Sequence, residues 1–158
     1  MDLDTCDIAN LPRKMYQNMF CGKIFRIRTC PEFVYDGDTL DVCFEFNGQV
    51  LRDSLRIKGY DSPELKTKNP KEKAKGKEAK QFLKKYIGER MDKPMFVLFD
   101  GSDKWGRLLG ELYVHKKNRG GTITNERSLK AHCDNISDVM VSGGYGYAYQ
   151  GGTKRKFD

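Results

Sequence analysis

The stretch TLDVCFEFNGQVLRDSLRIK, residues 39–58, decides the fold class of this chain. Its first eight residues alternate between apolar and polar side chains, which is the pattern of a half-buried β-strand. Asn47-Gly48 then supplies two residues suited to the positive φ angles of a tight hairpin turn. Residues 49–58 are again strand-like. This stretch therefore predicts an antiparallel hairpin in a β-rich domain.

Similar patterns predict three more strands, at residues 23–28, 95–99 and 107–114. Between the third and fourth strands, an apolar stripe with helical spacing predicts a lysine-rich helix from about Glu72 to Gly88. A short helix is predicted at residues 137–141, and Thr124-Asn125-Glu126 is a competing start for it. Five strands in this order, with that helix, predict a mainly β fold with helices (α+β), a five-stranded OB-fold barrel.

The chain is expected to form one domain with an extension. Residues 1–22 show little periodicity and are predicted to be an N-terminal extension. Residues 23–158 form the predicted domain, within which the polar residues 116–135 are expected to be a loop insertion or a lid.

Composition excludes several classes of protein. The chain is 38% hydrophobic and 32% charged, and its longest apolar run, Met95–Phe99, is far shorter than the roughly 20 residues of a membrane span. The first twenty residues resemble no secretory signal peptide. We therefore expect an intracellular, cytoplasmic protein that does not enter membranes. With five cysteines and two histidines, neither a disulfide framework nor a zinc site is predicted.

The positive charge of the chain is concentrated in one segment. The net charge is +7, and residues 66–85 contain nine lysines but only two acidic residues. Such a concentrated basic segment attracts polyanions such as nucleic acids. The alternative is that the lysines merely form a solvated helix face.

Three short motifs contain the candidate reactive residues. They are DGDT at residues 36–39, RIKGYDSPE at residues 56–64 and DKWGR at residues 103–107. Taken singly, the first and third are typical of turns, and the second can begin a helical turn. The predicted hairpin, however, brings the first two motifs close together.

Taken jointly, the motifs supply the groups for metal-assisted phosphodiester hydrolysis. The carboxylates of Asp38 and Asp61 can share a Ca²⁺ or Mg²⁺ ion, which relieves their mutual repulsion. Glu64 can hold a water molecule as a base. The guanidinium groups of Arg56 and Arg107 can bind a phosphate.

These motifs, in this order and around a lysine-rich helix, resemble the staphylococcal nuclease family. The resemblance covers roughly residues 23–149. It implies an OB-fold and a Ca²⁺-dependent endonuclease that cuts DNA and RNA with little sequence preference and leaves 3′-phosphate ends. It further implies that Asp38, Asp61 and the backbone carbonyl of Ser62 bind Ca²⁺, although the family usually has Thr in place of Ser62.

The resemblance also implies roles for the remaining residues. Glu64 corresponds to a general base or water-orienting residue, and Arg56 and Arg107 correspond to the phosphate clamp. The predicted substrate-binding residues are Lys104, Trp105, Tyr147 and Tyr149. For the tyrosines, the alternative is that they pack under the barrel.

The chain also departs from the family pattern. It stops soon after Tyr149, where the family has a long C-terminal helix, and residues 116–135 are longer than the corresponding hairpin. The expected partners are single-stranded or frayed DNA and RNA, and the expected state is a monomer. Two other functions stay open: a catalytically inactive nucleic-acid-binding OB module, and an OB-type protein with a structural Ca²⁺.

Overall fold

A computed structural model describes residues 2–11, 20–116 and 122–149 of the chain. Its strands are β1 (Ile24–Ile27), β2 (Val34–Asp36), β3 (Thr39–Phe46), β4 (Gln49–Ile57), β5 (Gly59–Asp61), β6 (Met95–Ser102), β7 (Leu108–His115), β8 (Cys133–Asn135) and β9 (Tyr147–Tyr149). Its helices are α1 (Pro70–Gly88), α2 (Glu126–His132) and α3 (Ile136–Ser142), with single 3₁₀ turns at Ile8–Asn10 and Pro31–Phe33.

The chain folds as a mixed α+β protein around one large sheet. The strand order in this sheet is β1-β6-β7-β4-β3-β2, and β8 adds to β7. All neighbours are antiparallel except β4 and β7, which run parallel from Leu55↔Leu108 to Ile57↔Gly110. Arg28, just after β1, also exchanges two backbone hydrogen bonds of 2.8 Å with Cys43 in β3. The chain just after β1, at one end of the sheet, is thus hydrogen-bonded to β3, next to the strand at the other end.

The predicted hairpin is present with the predicted turn. β3 and β4 pair from Phe46↔Gln49 to Thr39↔Arg56. Asn47 and Gly48 have φ angles of 51° and 75°, as the turn requires. The other three predicted strands correspond to β1, β6 and β7. The four strands that were not predicted are three residues each, too short for a periodic pattern.

Helix α1 begins slightly earlier than predicted. The side chain of Asn69 accepts hydrogen bonds from the backbone N–H groups of Lys71 and Glu72, and Pro70 occupies the first turn. These are strong signals for the start of a helix. The helix ends at Gly88 as predicted. The alternative of a helical turn beginning at residues 61–64 is not observed, because residues 62–69 are irregular.

The prediction of a loop over residues 116–135 is wrong for its second half. Helix α2 and strand β8 occupy residues 126–135, while residues 117–121 lie outside the described part of the chain. Asn125 and Ser128 form a reciprocal capping box at the start of α2. Leu129 is the one buried residue of this helix, so no apolar stripe reveals it in the sequence. The predicted short helix at residues 137–141 is present as α3.

Strand β3 is buried on both faces from residue 39 to residue 44, not on one face as predicted. The second face is covered by part of the predicted extension. Leu3 and Ile8 form a small apolar cluster with Phe33 and Cys43. The guanidinium of Arg28 holds this N-terminal segment by donating to the carbonyl oxygens of residues 3, 4 and 6, at 2.8–3.3 Å. Residues 12–19 of the predicted extension lie outside the described residues.

The main core fills the other face of the sheet. It is closed by α1, through Ala79, Leu83 and Ile87, and by α3, through Ile136 and Met140. Four phenylalanine rings, from residues 20, 25, 44 and 99, meet at its end with centroids 5.1–5.5 Å apart. In the described ranges, no helix is both long and apolar enough to cross a membrane.

The packing of residues 3–8 on β3 predicts a measurable contribution to stability. Ile8→Ala truncates the side chain of a residue that is only 6% exposed. We expect a loss of about 2 kcal/mol in the free energy of unfolding, at the low end of the range for core truncations. Urea unfolding measures this loss. Thr5→Ala, at an exposed position of the same segment, is the control, and equal midpoints for the two variants would contradict the packing.

Candidate active site

The candidate site lies where β3 and β4 meet the end of β5. Arg56 pairs with Thr39 in the register of the hairpin, which places Arg56 next to Asp38. Asp61 follows at the end of β5, only five residues beyond Arg56. The hairpin and its short continuation thus bring together two acidic residues that are 23 positions apart in the chain.

One guanidinium joins the two carboxylates. Nη2 of Arg56 lies 3.3 Å from Oδ2 of Asp38 and 3.0 Å from Oδ1 of Asp61. The other terminal nitrogen, Nη1, donates to the backbone carbonyls of Ile57 and Tyr60. Side-chain exposures are 11% for Arg56, 9% for Asp38 and 3% for Asp61. These charges are therefore largely removed from water. Their mutual attraction is stronger in the protein interior than it would be in water.

Asp38 is held by hydrogen bonds on both oxygens. Oδ2 accepts the backbone N–H of Ser62 at 3.0 Å, and Oδ1 accepts the hydroxyl of Thr39 at 3.0 Å. Burial acts to raise the pKa of Asp38, but the Arg56 charge and these hydrogen bonds outweigh it and hold the pKa below its ordinary value. Asp38 is therefore a carboxylate at neutral pH.

Asp36 is a site residue that the sequence analysis did not single out. Its Oδ1 accepts the backbone N–H of Asp38 at 3.1 Å. Burial, followed by the charge of Asp38, raises the pKa of Asp36 to about 7. The available signal is the pair of acids that flank Gly37 in DGDT, of which only Asp38 is predicted to be a site residue. Thr39, which contacts both Asp38 and Arg107, was also missed.

Arg107 reaches the site through Thr39. Its Nη1 donates to the Thr39 hydroxyl oxygen at 3.3 Å, across 68 residues of sequence. The DKWGR turn holds this side chain, since Asp103 accepts from Nε of Arg107 at 2.6 Å and from its backbone N–H at 2.9 Å. The side chain of Arg107 is 31% exposed, so part of it remains available to a ligand.

The other predicted residues lie around these buried charges. Glu64 is exposed in the segment after β5, and its backbone N–H donates to Glu72 at 3.4 Å. Lys104 and Trp105 project from the turn between β6 and β7. Trp105 is 70% exposed, and Nζ of Lys104 lies 5.1 Å from the centre of its ring.

The two predicted tyrosines lie on β9, which pairs with β5. Tyr147 is opposite Asp61 and Tyr149 is opposite Gly59 in this register. The hydroxyl of Tyr147 donates to Oδ2 of Asp61 at 3.3 Å. Both tyrosines are half-buried. The structure therefore brings Tyr147 to the carboxylate cluster itself.

Helix α1 packs directly against the turn that carries Asp38. A Cβ atom at Gly37 would lie 2.8 Å from the Cβ atoms of both Ala79 and Ser62, closer than side chains tolerate. The Tyr60 hydroxyl donates to the Gly37 carbonyl at 2.6 Å and fixes the turn from the other side. Oγ of Ser62 is buried in this contact and has no hydrogen-bond partner among the described residues.

The donor groups suit a hard cation, although they do not form a recognised metal centre. Among residues 2–11, 20–116 and 122–149, no group of three or more His, Cys, Asp and Glu side chains is arranged to hold a metal ion. The carboxylates of Asp38 and Asp61 nevertheless share one positively charged nitrogen. Carboxylate oxygens that stabilise a cation between them are the ligands that Ca²⁺ prefers.

A family model confirms the resemblance that the motifs predicted. The model described as staphylococcal nuclease homologue matches residues 54–157, which is more than half of the chain, so the chain belongs to the staphylococcal nuclease family. The match includes Arg56, Asp61 and Arg107, whereas Asp38 lies before it. No curated protein matches the chain. Membership supports a nuclease or nucleic-acid-binding function.

Removal of two buried hydroxyl groups of the site should have different effects on stability. Ser62→Ala removes a buried hydroxyl that forms no hydrogen bond with the described residues, so we expect the free energy of unfolding to stay equal or to rise by up to about 1 kcal/mol. Thr39→Val removes a hydroxyl that serves both Asp38 and Arg107, so we expect a loss of about 1–3 kcal/mol. Denaturant unfolding in EDTA compares them, and equal losses would contradict these hydrogen-bond assignments.

Proposed function

We propose that the protein is a Ca²⁺-dependent endonuclease that hydrolyses phosphodiester bonds of DNA and RNA with little sequence preference. The observation that carries the proposal is the cluster itself: Asp38 and Asp61 share the guanidinium of Arg56, and Thr39 links Asp38 to Arg107. Two carboxylates and two guanidinium groups in one cluster are suited to a phosphate and a divalent cation. All four side chains come from one chain, which supports activity as a monomer.

The sheet supports the proposed OB-fold barrel. The bridge between Arg28 and Cys43 connects the chain after β1 to β3, near the opposite end of the sheet, and β4 pairs in parallel with β7. We propose that the sheet closes into a barrel through this bridge. The site then lies on its surface, beside the turn between β6 and β7, which is the side on which an OB-fold carries oligonucleotides.

Asp38, Asp61 and the backbone carbonyl of Ser62 would hold the Ca²⁺ ion. A bound Ca²⁺ would supply positive charge to a non-bridging oxygen of the scissile phosphate. The Arg56 guanidinium, which bridges the two carboxylates, would be the group beside them that binds the phosphate.

The remaining residues have distinct proposed roles. Glu64 orients or deprotonates the attacking water molecule, since it is the exposed acid nearest in sequence to Asp61. Arg107 binds the charge that develops on the phosphate, and cleavage expels the 5′ oxygen to leave a 3′-phosphate end. Lys104 and Trp105 bind the neighbouring nucleotide, supported by the exposed face of the Trp105 ring. Tyr149, on the strand next to Asp61, is proposed to contact the substrate as well.

Helix α1 supplies a general attraction for the polynucleotide. Five of its lysines are exposed, namely Lys71, Lys73, Lys75, Lys77 and Lys85, and so are Lys66 and Lys68 in the segment just before the helix. The packing of Ala79 on Gly37 holds this basic helix beside the site. Basic groups near such a site raise the local concentration of a polyanion without reading its sequence.

Removal of the Arg107 guanidinium tests the proposed chemistry. Arg107→Ala should lower kcat on denatured DNA in Ca²⁺ by about 10²–10³-fold, because a preorganised charge donor to the transition state is lost. Gel assays of wild type and variant on DNA and RNA, in Ca²⁺, Mg²⁺ or EDTA, measure this effect. Arg127→Ala is the control, since it removes the same charge from an exposed position on α2.

Cleavage, binding and melting measurements on the wild-type protein separate nuclease activity from simple binding. If the wild-type protein leaves DNA and RNA intact in Ca²⁺ but binds them, the inactive nucleic-acid-binding module is the correct interpretation. If Ca²⁺ raises the melting temperature without either binding or cleavage of nucleic acid, the ion has only a structural role.

The lysines of α1 are expected to set the salt dependence of binding. The double variant Lys73→Gln and Lys77→Gln should make the negative slope of log K against log salt less steep, by about 0.7 for each lysine that contacts a phosphate of a single strand. Fluorescence anisotropy with a labelled oligonucleotide in EDTA measures the slope. The control is Lys116→Gln with Lys130→Gln, which removes two exposed charges elsewhere, and equal slopes in both double variants would contradict a role specific to α1.

A further inference from the structure

The hydroxyl of Tyr147 makes a contact that differs from the role predicted for it. The family resemblance implies a substrate-binding role for Tyr147, whereas its hydroxyl donates to Oδ2 of Asp61 at 3.3 Å. We infer that Tyr147 is a positioning residue, which fixes the orientation of the Asp61 carboxylate for the divalent cation. This inference rests on the proposed function of Asp61.

The Asp61 carboxylate is held from two sides. Oδ1 faces the Arg56 guanidinium at 3.0 Å, and Oδ2 accepts from Tyr147. A carboxylate with a donor on each oxygen cannot rotate about its Cβ–Cγ bond without breaking one of the two contacts. With a cation bound in place of the Arg56 contact, the Tyr147 hydroxyl would still hold the second oxygen.

The backbone makes the contact between Tyr147 and Asp61 a consequence of strand pairing. Residues that are directly opposite each other on antiparallel strands carry their side chains on the same face. Asp61 and Tyr147 are such a pair in the ladder of β5 and β9. The two strands also approach closely just before this pair, because a Cβ atom at Gly146 would lie 2.7 Å from the Asp61 carbonyl oxygen.

A second contact anchors the segment that precedes β9. The rings of Tyr145 and Phe82, on α1, stack with centroids 4.2 Å apart and planes 16° apart. The backbone N–H of Tyr145 donates to the Met140 carbonyl of α3 at 2.9 Å. Tyr147 is therefore presented to Asp61 by a segment fixed to both helices, as a positioning residue requires.

Hydrogen bonds to a ligating carboxylate tune its affinity for a metal ion. Outer partners of metal ligands orient them, and their removal typically lowers metal affinity 10–100-fold. The exposed ring of Trp105 offers a face on which a base can stack, so the site does not depend on Tyr147 for that purpose. Tyr147 is thus better suited to orienting the Asp61 carboxylate than to binding a nucleotide base.

Tyr147→Phe tests this inference, with Tyr145→Phe as the matched control. Both substitutions remove one hydroxyl from the same segment, and Tyr145→Phe keeps the ring that stacks on Phe82. Calorimetric titration with CaCl₂, without nucleic acid, should show Ca²⁺ affinity lowered about tenfold or more in Tyr147→Phe and unchanged in Tyr145→Phe. Melting temperatures in EDTA show whether both variants keep the fold. In cleavage assays, Tyr147→Phe should require about tenfold more Ca²⁺, with KM for nucleic acid unchanged at saturating Ca²⁺.

The outcomes separate this inference from the proposed function. Equal Ca²⁺ affinities for Tyr147→Phe and Tyr145→Phe, with a wild-type protein that binds Ca²⁺ and cleaves DNA, overturn the positioning role alone. A raised KM for nucleic acid with unchanged Ca²⁺ affinity also overturns it and assigns Tyr147 to the substrate. A wild-type protein that does not bind Ca²⁺ overturns the proposed function and this inference together.

Discussion

The ion-pair cluster of Asp38, Arg56 and Asp61 is the interaction on which the candidate site depends. Two buried carboxylates about 4 Å apart repel each other by roughly 4 kcal/mol at an effective dielectric constant of 20. The Arg56 guanidinium removes this repulsion, and its second nitrogen also binds the carbonyls of Ile57 and Tyr60. Arg56 therefore holds the carboxylates together while it shapes the chain between β4 and β5. A divalent cation would meet the same electrostatic need, which is why we propose that these carboxylates hold Ca²⁺.

Close packing of small residues keeps the basic helix beside these charges. A Cβ atom at Gly37 would lie 2.8 Å from the Cβ atom of Ala79, and one at Gly76 would lie 2.9 Å from the carbonyl oxygen of Pro63, so neither position has room for a larger side chain. Both contacts join α1 to segments that carry site residues, namely the turn before β3 and the irregular chain after β5. The helix that carries the exposed lysines is therefore packed directly against segments that carry site residues.

The elements that were predicted correctly from the sequence are those with a local signal. The β3–β4 hairpin has clear alternation and an Asn47-Gly48 turn, and α1 has five apolar residues at helical spacing. Helix α2 was missed because Leu129 alone is buried, which leaves no periodicity to detect. The packing of Leu3 and Ile8 was missed for a related reason, since two apolar residues in a polar segment do not indicate the strand they cover.

The sequence by itself determined the residue types of the site, the order of the motifs and the family, because carboxylates, guanidinium groups and their spacing are written in the chain. Only the tertiary structure decided which partners these groups have. It placed Arg56 between two acids, gave Asp36 its raised pKa and turned the Tyr147 hydroxyl towards Asp61. Each of these facts depends on distances between residues that are far apart in the chain and on burial by α1 and β9. A one-dimensional pattern specifies neither of these quantities.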